Sequence, residues 1–425
     1  MQARDMGFFP VVVVSAMGRE LRDWNEEIEA LVRKPEGARK LALAHFYSTA
    51  ELVRLVKEID PIIEPRELDL LMSCGEIIST VRLAHLLKSR GYATVALSGG
   101  QVGLITDGFF GHARVIQTEI RQLIDCLDRP TIPLVAGFQG VSPTDHAITT
   151  LGEGGSDYTA FCLAYALTHA ERTPLQEPIE LAPVEIYKEV DGVMTANPTI
   201  FPADYLDDDR RPRTILQLTY DELCALAQYG ADVIQAEAAR MARRYALAVT
   251  VRNFRQPHEP GTLIVGSTPQ PGAAPVIGIA DMPSMVVFSV PHSTERNIRR
   301  IAELLGQARL NFHTVTVHDG SWKFAVKKEK YRSVSETIDM LLHPRNIHPI
   351  FEEGQWTLIT LVGEGLRGLI PTVAERVLAL LTAHTIHREG EIFDTLSYSV
   401  LVHETKRKEA VLALHEAFIS APTPF

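Results

Sequence analysis

The run Ile148-Thr149-Thr150-Leu151-Gly152-Glu153-Gly154-Gly155-Ser156-Asp157 decides how the rest of this chain is read. Before it lies Ile132-Pro133-Leu134-Val135-Ala136-Gly137-Phe138, an apolar segment with the pattern of a buried strand. After it, Tyr158 to Ala164 reads as a helix. A strand, a glycine-rich turn and a helix start together present backbone N–H groups to an anion.

Working outward, strand-like runs alternate with helical patterns from Val11 to about Val265. Ala93 to Leu97 is a predicted strand and Glu76 to Lys88 a predicted helix. Phe8-Phe9-Pro10-Val11-Val12-Val13-Val14 reads as a buried strand, too short to span a bilayer. The alternation predicts an α/β domain over residues 1–265, with a mainly parallel sheet between two helical layers. The stretch from Thr173 to Pro178 interrupts the pattern with two prolines. Gly266 to Pro275, rich in glycine, proline and alanine, marks a boundary. Beyond it, residues 276–342 and 350–425 each show a strand, a helix and two strands, the rhythm of a ferredoxin-like α+β module. In the second, Trp356 to Val362 is a strand, Pro371 to Ala383 a helix, Leu396 to Val402 a strand and Lys406 to Phe418 a closing helix.

Composition narrows the functional classes. The chain has 425 residues, 46% hydrophobic and 22% charged, and a net charge of −11. That charge disfavours wrapping a nucleic-acid backbone. Cys74, Cys126, Cys162 and Cys224 are widely spaced and sit in apolar segments, the pattern of reduced buried thiols rather than of metal ligands. No signal peptide or membrane span is evident, and a cytoplasmic location is expected.

The glycine-rich turn resembles that of the aspartokinases in the amino-acid kinase family, which read Thr-Thr-Leu-Gly-Arg-Gly-Gly-Ser-Asp. Other pieces match in order. Ser15-Ala16-Met17-Gly18 is similar to a strand-to-helix turn of that family, and Ser73-Cys74-Gly75-Glu76 to its Ser-x-Gly-Glu. The strand over Val135 to Gly140, with Gln139, also matches. Val190-Asp191-Gly192-Val193 and Thr195-Ala196-Asn197-Pro198 resemble its nucleotide-side loop, and Tyr220-Asp221-Glu222-Leu223 with Gly230-Ala231 its next helix. The two C-terminal modules resemble ACT domains, the second most clearly through Val362-Gly363-Glu364-Gly365-Leu366-Arg367.

The resemblance implies a three-layer amino-acid-kinase fold followed by two ACT modules. It implies ATP-dependent phosphorylation of L-aspartate to 4-phospho-L-aspartate, at the entry to lysine, threonine and methionine synthesis, with Mg²⁺ accompanying ATP. Carried over residue by residue, it places Asp157 as a catalytic aspartate. Glu76, Glu153, Gly154, Gly155 and Ser156 fall on the substrate side. Gly18, Lys188, Glu189, Asp191, Gly192, Asn197 and Asp232 fall on the nucleotide side. It also implies an amino-acid ligand at the ACT modules and a homodimer formed through their edge strands.

Several positions depart from the family pattern. Glu153 stands where the family has the arginine that clamps a substrate carboxylate. Lys188-Glu189 stands for Thr-Asp, Asn197 and Thr199 for the Asp and Arg of Ala-Asp-Pro-Arg, and Asp232 for the lysine of Gly-Ala-Lys. Gln235, Ala236 and Glu237 stand for His-Pro-Arg. The family's leading strand, with its phosphate-bridging lysine, is expected to be absent. Together these changes lower the local charge by about six units, against a reaction that gathers negative charge. Two functions are therefore expected to compete. One is aspartate kinase, or a kinase with a changed substrate. The other is a non-catalytic homologue pairing with itself or with an active aspartokinase.

Each site residue also has a structural reading. Asp157 fits a helix cap or turn. Glu76, read as opening its helix, complements the macrodipole. Gly154 and Gly155 supply backbone angles, and Asp191-Gly192 a tight turn. No histidine spacing, His384 and His387 included, suggests a metal site.

Overall fold

The computed structural model describes residues 8–17, 48–129, 131–170, 180–202, 210–231, 233–266, 275–290, 294–308, 310–318, 321–331, 333–336 and 350–420. Gly18, Asp232 and the 173–178 stretch lie outside the described residues. Two compact units emerge, Met1–Val184 with Arg244–Ala248, and Glu185–Arg243 with Val249–Phe425.

In chain order the first unit contains β1 (Val12–Val14), α1 (Thr49–Lys57), α2 (Pro65–Ser89), β2 (Thr94–Leu97), β3 (Leu104–Thr106) and β4 (Val115–Thr118). It continues with α3 (Arg121–Asp128), β5 (Ile132–Ala136), β6 (Gln139–Val141), β7 (Ile148–Thr150) and α4 (Gly155–Thr168). Ser48 caps α1, its Oγ accepting the Glu51 N–H at 3.2 Å. Pro65 begins α2, where its missing N–H and fixed φ cost nothing. All five residues of β5 are buried, and β1 and β2 flank it in parallel, which accounts for its unbroken apolar run. A second sheet runs β4-β3-β6-β7, with β3 and β6 parallel and the outer pairs antiparallel. Helix α2 packs on β2, β5 and β7, and α4 on β1, β4 and β6. Ala84, Ile132 and Leu134 form a core with Val12, Val14 and Leu87.

In the second unit, β8 (Val184–Lys188), β9 (Gln217–Thr219), α5 (Tyr220–Gln228), α6 (Ala236–Arg244), β10 (Val249–Asn253) and β11 (Thr262–Val265) come first. Their strands form a sheet of order β8-β10-β11-β9 in which β9 and β11 are parallel. Then follow β12 (Gly278–Val290), α7 (Glu295–Gln307), β13 (His313–His318) and β14 (Ser321–Lys327). The strand–helix–strand–strand rhythm repeats in β15 (Ile350–Val362), α8 (Ile370–Ala383), β16 (Arg388–Phe393) and β17 (Ser397–His403). Helix α9 (Arg407–His415) and a π-helical turn over Glu416–Ser420 close the chain's described part.

Both repeats share one six-stranded sheet, β13-β14-β12-β15-β17-β16, joined through the antiparallel pair β12–β15. Each half has its own apolar cluster, one around Phe288, Trp322 and Phe324, the other around Val377, Tyr398 and Phe418. The edge strands β13 and β16 lie against each other. A Cβ at Gly390 would fall 2.1 Å from Val315 Cγ1. Within the chain, each edge thus covers part of the other.

Helix α2 is long and apolar enough to cross a membrane by length and composition alone. It carries buried Asp69 and Glu76 and packs on β1, β2, β5 and β7 along one face, while Leu70, Val81 and Leu86 are exposed away from it.

Helix α5 begins with a capping box. Thr219 Oγ1 accepts the Glu222 N–H at 3.1 Å, and Glu222 Oε2 accepts the Thr219 N–H at 3.0 Å. The same buried carboxylate accepts the Glu364 N–H through Oε1 at 2.9 Å. Glu222→Ala strips the buried Thr219 N–H and the half-buried Glu364 N–H of their acceptor. It should destabilise the protein by about 2–3 kcal/mol, read as a lower urea midpoint at unchanged slope. A loss under about 0.5 kcal/mol would contradict this assignment.

Candidate functional site

Helix α2 is the backbone of the candidate site in the first unit. It starts at Pro65, so Glu76 lies well inside it and not at its start. The cap and macrodipole reading of Glu76 is therefore corrected, because both effects fade after the first turn. Glu76 is 4% exposed. Its Oε1 accepts the Ala16 N–H at 3.1 Å, just after β1. Its Oε2 is buried and accepts no hydrogen bond from the described residues. Burial pushes the Glu76 carboxyl up to about 7, with the Ala16 bond pulling the other way.

Glu76 belongs to a buried polar stripe, Asp69, Ser73, Glu76 and Thr80, on one face of α2. The Ser73 carbonyl accepts from Gln139 Nε2 at 3.1 Å, tying α2 to β6. Asp69 accepts from Gly111 N, Thr150 N and Thr150 Oγ1, tying it to β7.

Strand β7 leads directly into the glycine-rich turn. Gly154 occupies the N-cap of α4 at φ +71°, a left-handed conformation that glycine adopts without strain. A Cβ at Gly137 would lie 2.9 Å from Ser156 Cα, so the end of β5 and the start of α4 touch backbone to backbone. Gly155 and Asp157 are buried, Ser156 half-buried and Glu153 exposed. Asp157 is the third residue of α4 and not its cap, a position where a carboxylate still complements the helix dipole. The Ser98–Gln101 turn closes on itself, Ser98 N donating to Gln101 Oε1 at 2.8 Å and Gln101 N to Ser98 Oγ at 3.2 Å.

The second unit holds the nucleotide-side residues. Lys188, half-buried at the end of β8, accepts the Phe254 N–H on its carbonyl at 3.0 Å, and Glu189 is exposed. Asp191 Oδ1 accepts from Asn253 Nδ2 at 2.7 Å. Gly192 is buried against Thr262, whose Oγ1 accepts the Val193 N–H at 2.8 Å. Asn197 Oδ1 accepts from Thr199 N at 3.1 Å and from Thr199 Oγ1 at 2.8 Å, capping a short 3₁₀ turn. Glu237 pairs with Arg240 within α6 at 2.7 Å.

Thr195 joins this loop to α9. Its Oγ1 accepts the Arg213 N–H at 3.1 Å and is hydrogen-bonded to His415 Nε2 at 3.0 Å. Burial, aided by Arg213, pushes His415 down to about 4 and keeps it neutral. Among the described residues, no group of three or more His, Cys, Asp or Glu side chains stands close enough to hold a metal ion.

The amino acid kinase family model matches residues 2–253. An aspartokinase of Geobacillus stearothermophilus is 32% identical over 380 residues, spanning 87% of this chain and 86% of that one. The chain belongs to the aspartokinase family. An aspartokinase of Mycolicibacterium smegmatis is 30% identical over 390 residues with the same coverage. Among solved structures, E. coli aspartokinase III in complex with aspartate and ADP in its R-state superposes with a TM-score of 0.73 at 20% identity, over 97% of this chain and 94% of that one. The same enzyme with lysine and aspartate in its T-state gives 0.60 at 21%, over 98% and 95%. These likenesses support the kinase-plus-ACT architecture of this aspartokinase-family chain.

Sequence reasoning missed Asp69 and His415, and it placed Thr195 in the nucleotide-side loop without its bond to α9. The signal for Asp69 was present, since polar residues at positions 69, 73, 76 and 80 recur at helical spacing. For Thr195 and His415, 220 residues apart, the sequence carries no comparable signal.

The raised Glu76 carboxyl has a definite sign in stability. Folding favours its protonated form, so its contribution is most favourable below the unfolded value near 4.5 and is lost as pH rises through about 7. Glu76→Gln keeps an acceptor for Ala16 and removes that penalty. The variant should gain on the order of 3 kcal/mol over wild type at pH 8 and almost nothing at pH 4, by denaturant titration. Equal differences at both pH values would contradict the assignment.

Proposed function

We propose that this aspartokinase-family chain holds the ammonium group of a small amino acid or amine at Glu76, while phosphoryl transfer from ATP to L-aspartate is weak or lost. The observation that carries the proposal is Glu76 itself. A buried carboxylate with one oxygen unsatisfied among the described residues is costly to ionise, and a cationic group delivered by a ligand removes that cost.

Phosphoryl transfer asks for the opposite charge. MgATP brings phosphates that need cations around them. Glu153, Asp232 and Glu237 stand where the family pattern has cations, and Lys188 adds one back. Asn197 is bonded within its own turn to Thr199, and Asp191 accepts from Asn253 at the end of β10. Bringing a polyanion beside such carboxylates is unfavourable by several kcal/mol unless other cations compensate (about 4 kcal/mol for one pair at 4 Å). The roles assigned to Glu153, Gly154, Gly155 and Ser156 on the substrate side, to Asp157 as the catalytic aspartate, and to Gly18, Lys188, Glu189, Asp191, Gly192, Asn197 and Asp232 on the nucleotide side, belong to this proposal.

So does the division into a kinase-like domain, 1–265, and ACT-like modules, 276–342 and 350–425. On this reading the modules serve regulation through an amino-acid ligand, and pairing with a second copy or with an active aspartokinase in the cytoplasm. The alternative reading is a working aspartate kinase. The buried Asp157 at the start of α4, matching the family's catalytic aspartate, favours it.

Two measurements separate the readings. Protein free of host aspartokinase, given MgATP and L-aspartate, should turn over below roughly 0.01 per second, against about 1–100 per second for kinases. Turnover in that ordinary range would establish the kinase. In thermal-shift assays with L-aspartate, L-lysine and putrescine, at least one should raise the melting temperature of wild type and leave Glu76→Gln unmoved. No response in wild type, or equal responses in both proteins, would overturn the ammonium assignment.

A further inference from the structure

We infer that Asp69 is a positioning residue that fixes the glycine-rich turn against the helix carrying Glu76. It rests, for its bearing on ligands, on the proposal that Glu76 receives an ammonium group. Asp69 is 1% exposed. Its Oδ2 accepts Thr150 N at 2.7 Å and Gly111 N at 2.9 Å, and its Oδ1 accepts Thr150 Oγ1 at 2.8 Å. Both oxygens are engaged by the protein itself, so Asp69 acts on a ligand only through what it holds.

What it holds are two segments that converge on the turn. Thr150 is the last residue of β7, one step before Leu151-Gly152-Glu153-Gly154-Gly155. Its carbonyl accepts the Ala113 N–H at 2.8 Å, and the Leu151 N–H donates to Phe138 O at 2.8 Å. Gly111 precedes His112, whose ring occupies the space beside Gly152: a Cβ there would fall 2.6 Å from His112 Nδ1. One carboxylate thus joins α2, the entry to the turn and the loop that walls it. Asp69 and Glu76 lie two helical turns apart on the same face of α2, so whatever Asp69 fixes is fixed relative to Glu76. A rigid relation between ligand-contacting groups is what a binding site needs from its supporting residues.

The geometry separates holding from charge. Asparagine at 69 can keep its amide oxygen at the Oδ2 position, accepting Thr150 N and Gly111 N. Its amide nitrogen then donates to Thr150 Oγ1, whose hydroxyl turns to accept. Alanine leaves both N–H groups without an acceptor.

The test is amide hydrogen exchange on the full chain, with the Glu76 carboxyl followed by NMR titration. In Asp69→Ala, Gly111 and residues 150–155 should exchange about tenfold faster or more relative to the rest of the protein, and the Glu76 midpoint should move from about 7. Asp69→Asn should stay within about twofold of wild type in exchange. If Asp69→Ala does not fold, Thr150→Val, which removes one donor, should loosen the same segment to a smaller degree. A melting-temperature loss with unchanged relative exchange at 150–155 would overturn the inference, as would Asparagine behaving like alanine, which would make the role one of charge. If wild type shows no response to L-aspartate, L-lysine or putrescine, the ammonium reading fails, while exchange at 150–155 still decides what Asp69 does.

Discussion

A carboxylate taken out of water on the buried face of α2 is the constraint on which the candidate site depends. Ionising Glu76 in place costs more than ionising it in the unfolded chain, because one backbone bond replaces a full hydration shell. Asp69, two turns earlier on the same face, is equally buried, yet it is surrounded by donors. The contrast between the two is informative. Asp69 is satisfied by the fold and so serves the fold, whereas one oxygen of Glu76 finds no hydrogen-bond donor among the described residues. Unsatisfied buried polar groups are uncommon enough in folded proteins that such a residue invites a functional reading.

The nucleotide-side residues present the opposite picture. Asp191 and Val193 find their bonding partners in neighbouring segments, Asn197 bonds Thr199 in its own turn, and Glu237 pairs along its own helix. Thr195 is wired to α9 through neutral His415, and Arg213 donates to the Ile419 carbonyl at 3.3 Å. Ala196 and Ile200 pack into the apolar cluster of the second C-terminal repeat. In the second unit, then, this loop is as much a part of the C-terminal module's core as of its own sheet. A change in that module's packing has a direct physical route to the loop.

Much of this was legible in the sequence. The unbroken apolar run of β5 and the alternation of strands and helices announced an α/β fold, and the repeat after residue 275 announced two ferredoxin-like halves. The antiparallel pairs of β3 with β4 and β6 with β7 were not, since three- and four-residue strands carry too few side chains to show their pairing. Nor was the sharing of one sheet by both repeats, which depends on register across more than 70 residues. The start of α2 was placed at Glu76, whereas the helix begins at Pro65 and runs through Gly75, with tertiary packing outweighing that glycine's weak helix propensity. That single error made Glu76 look like a capping residue. The glycine-rich turn was recognised correctly, but the residue that anchors it, Asp69, lies 81 positions before Thr150, a separation over which one sequence reveals no contact.

The most direct test is a carboxyl ¹³C titration of Glu76 in the folded protein, alone and with millimolar L-aspartate, L-lysine or putrescine. A midpoint near 7 in the free protein, falling when one of these amines binds, is the result expected of a buried, half-satisfied carboxylate awaiting a cation. A midpoint near the ordinary 4.5, unmoved by any of the three, would contradict it.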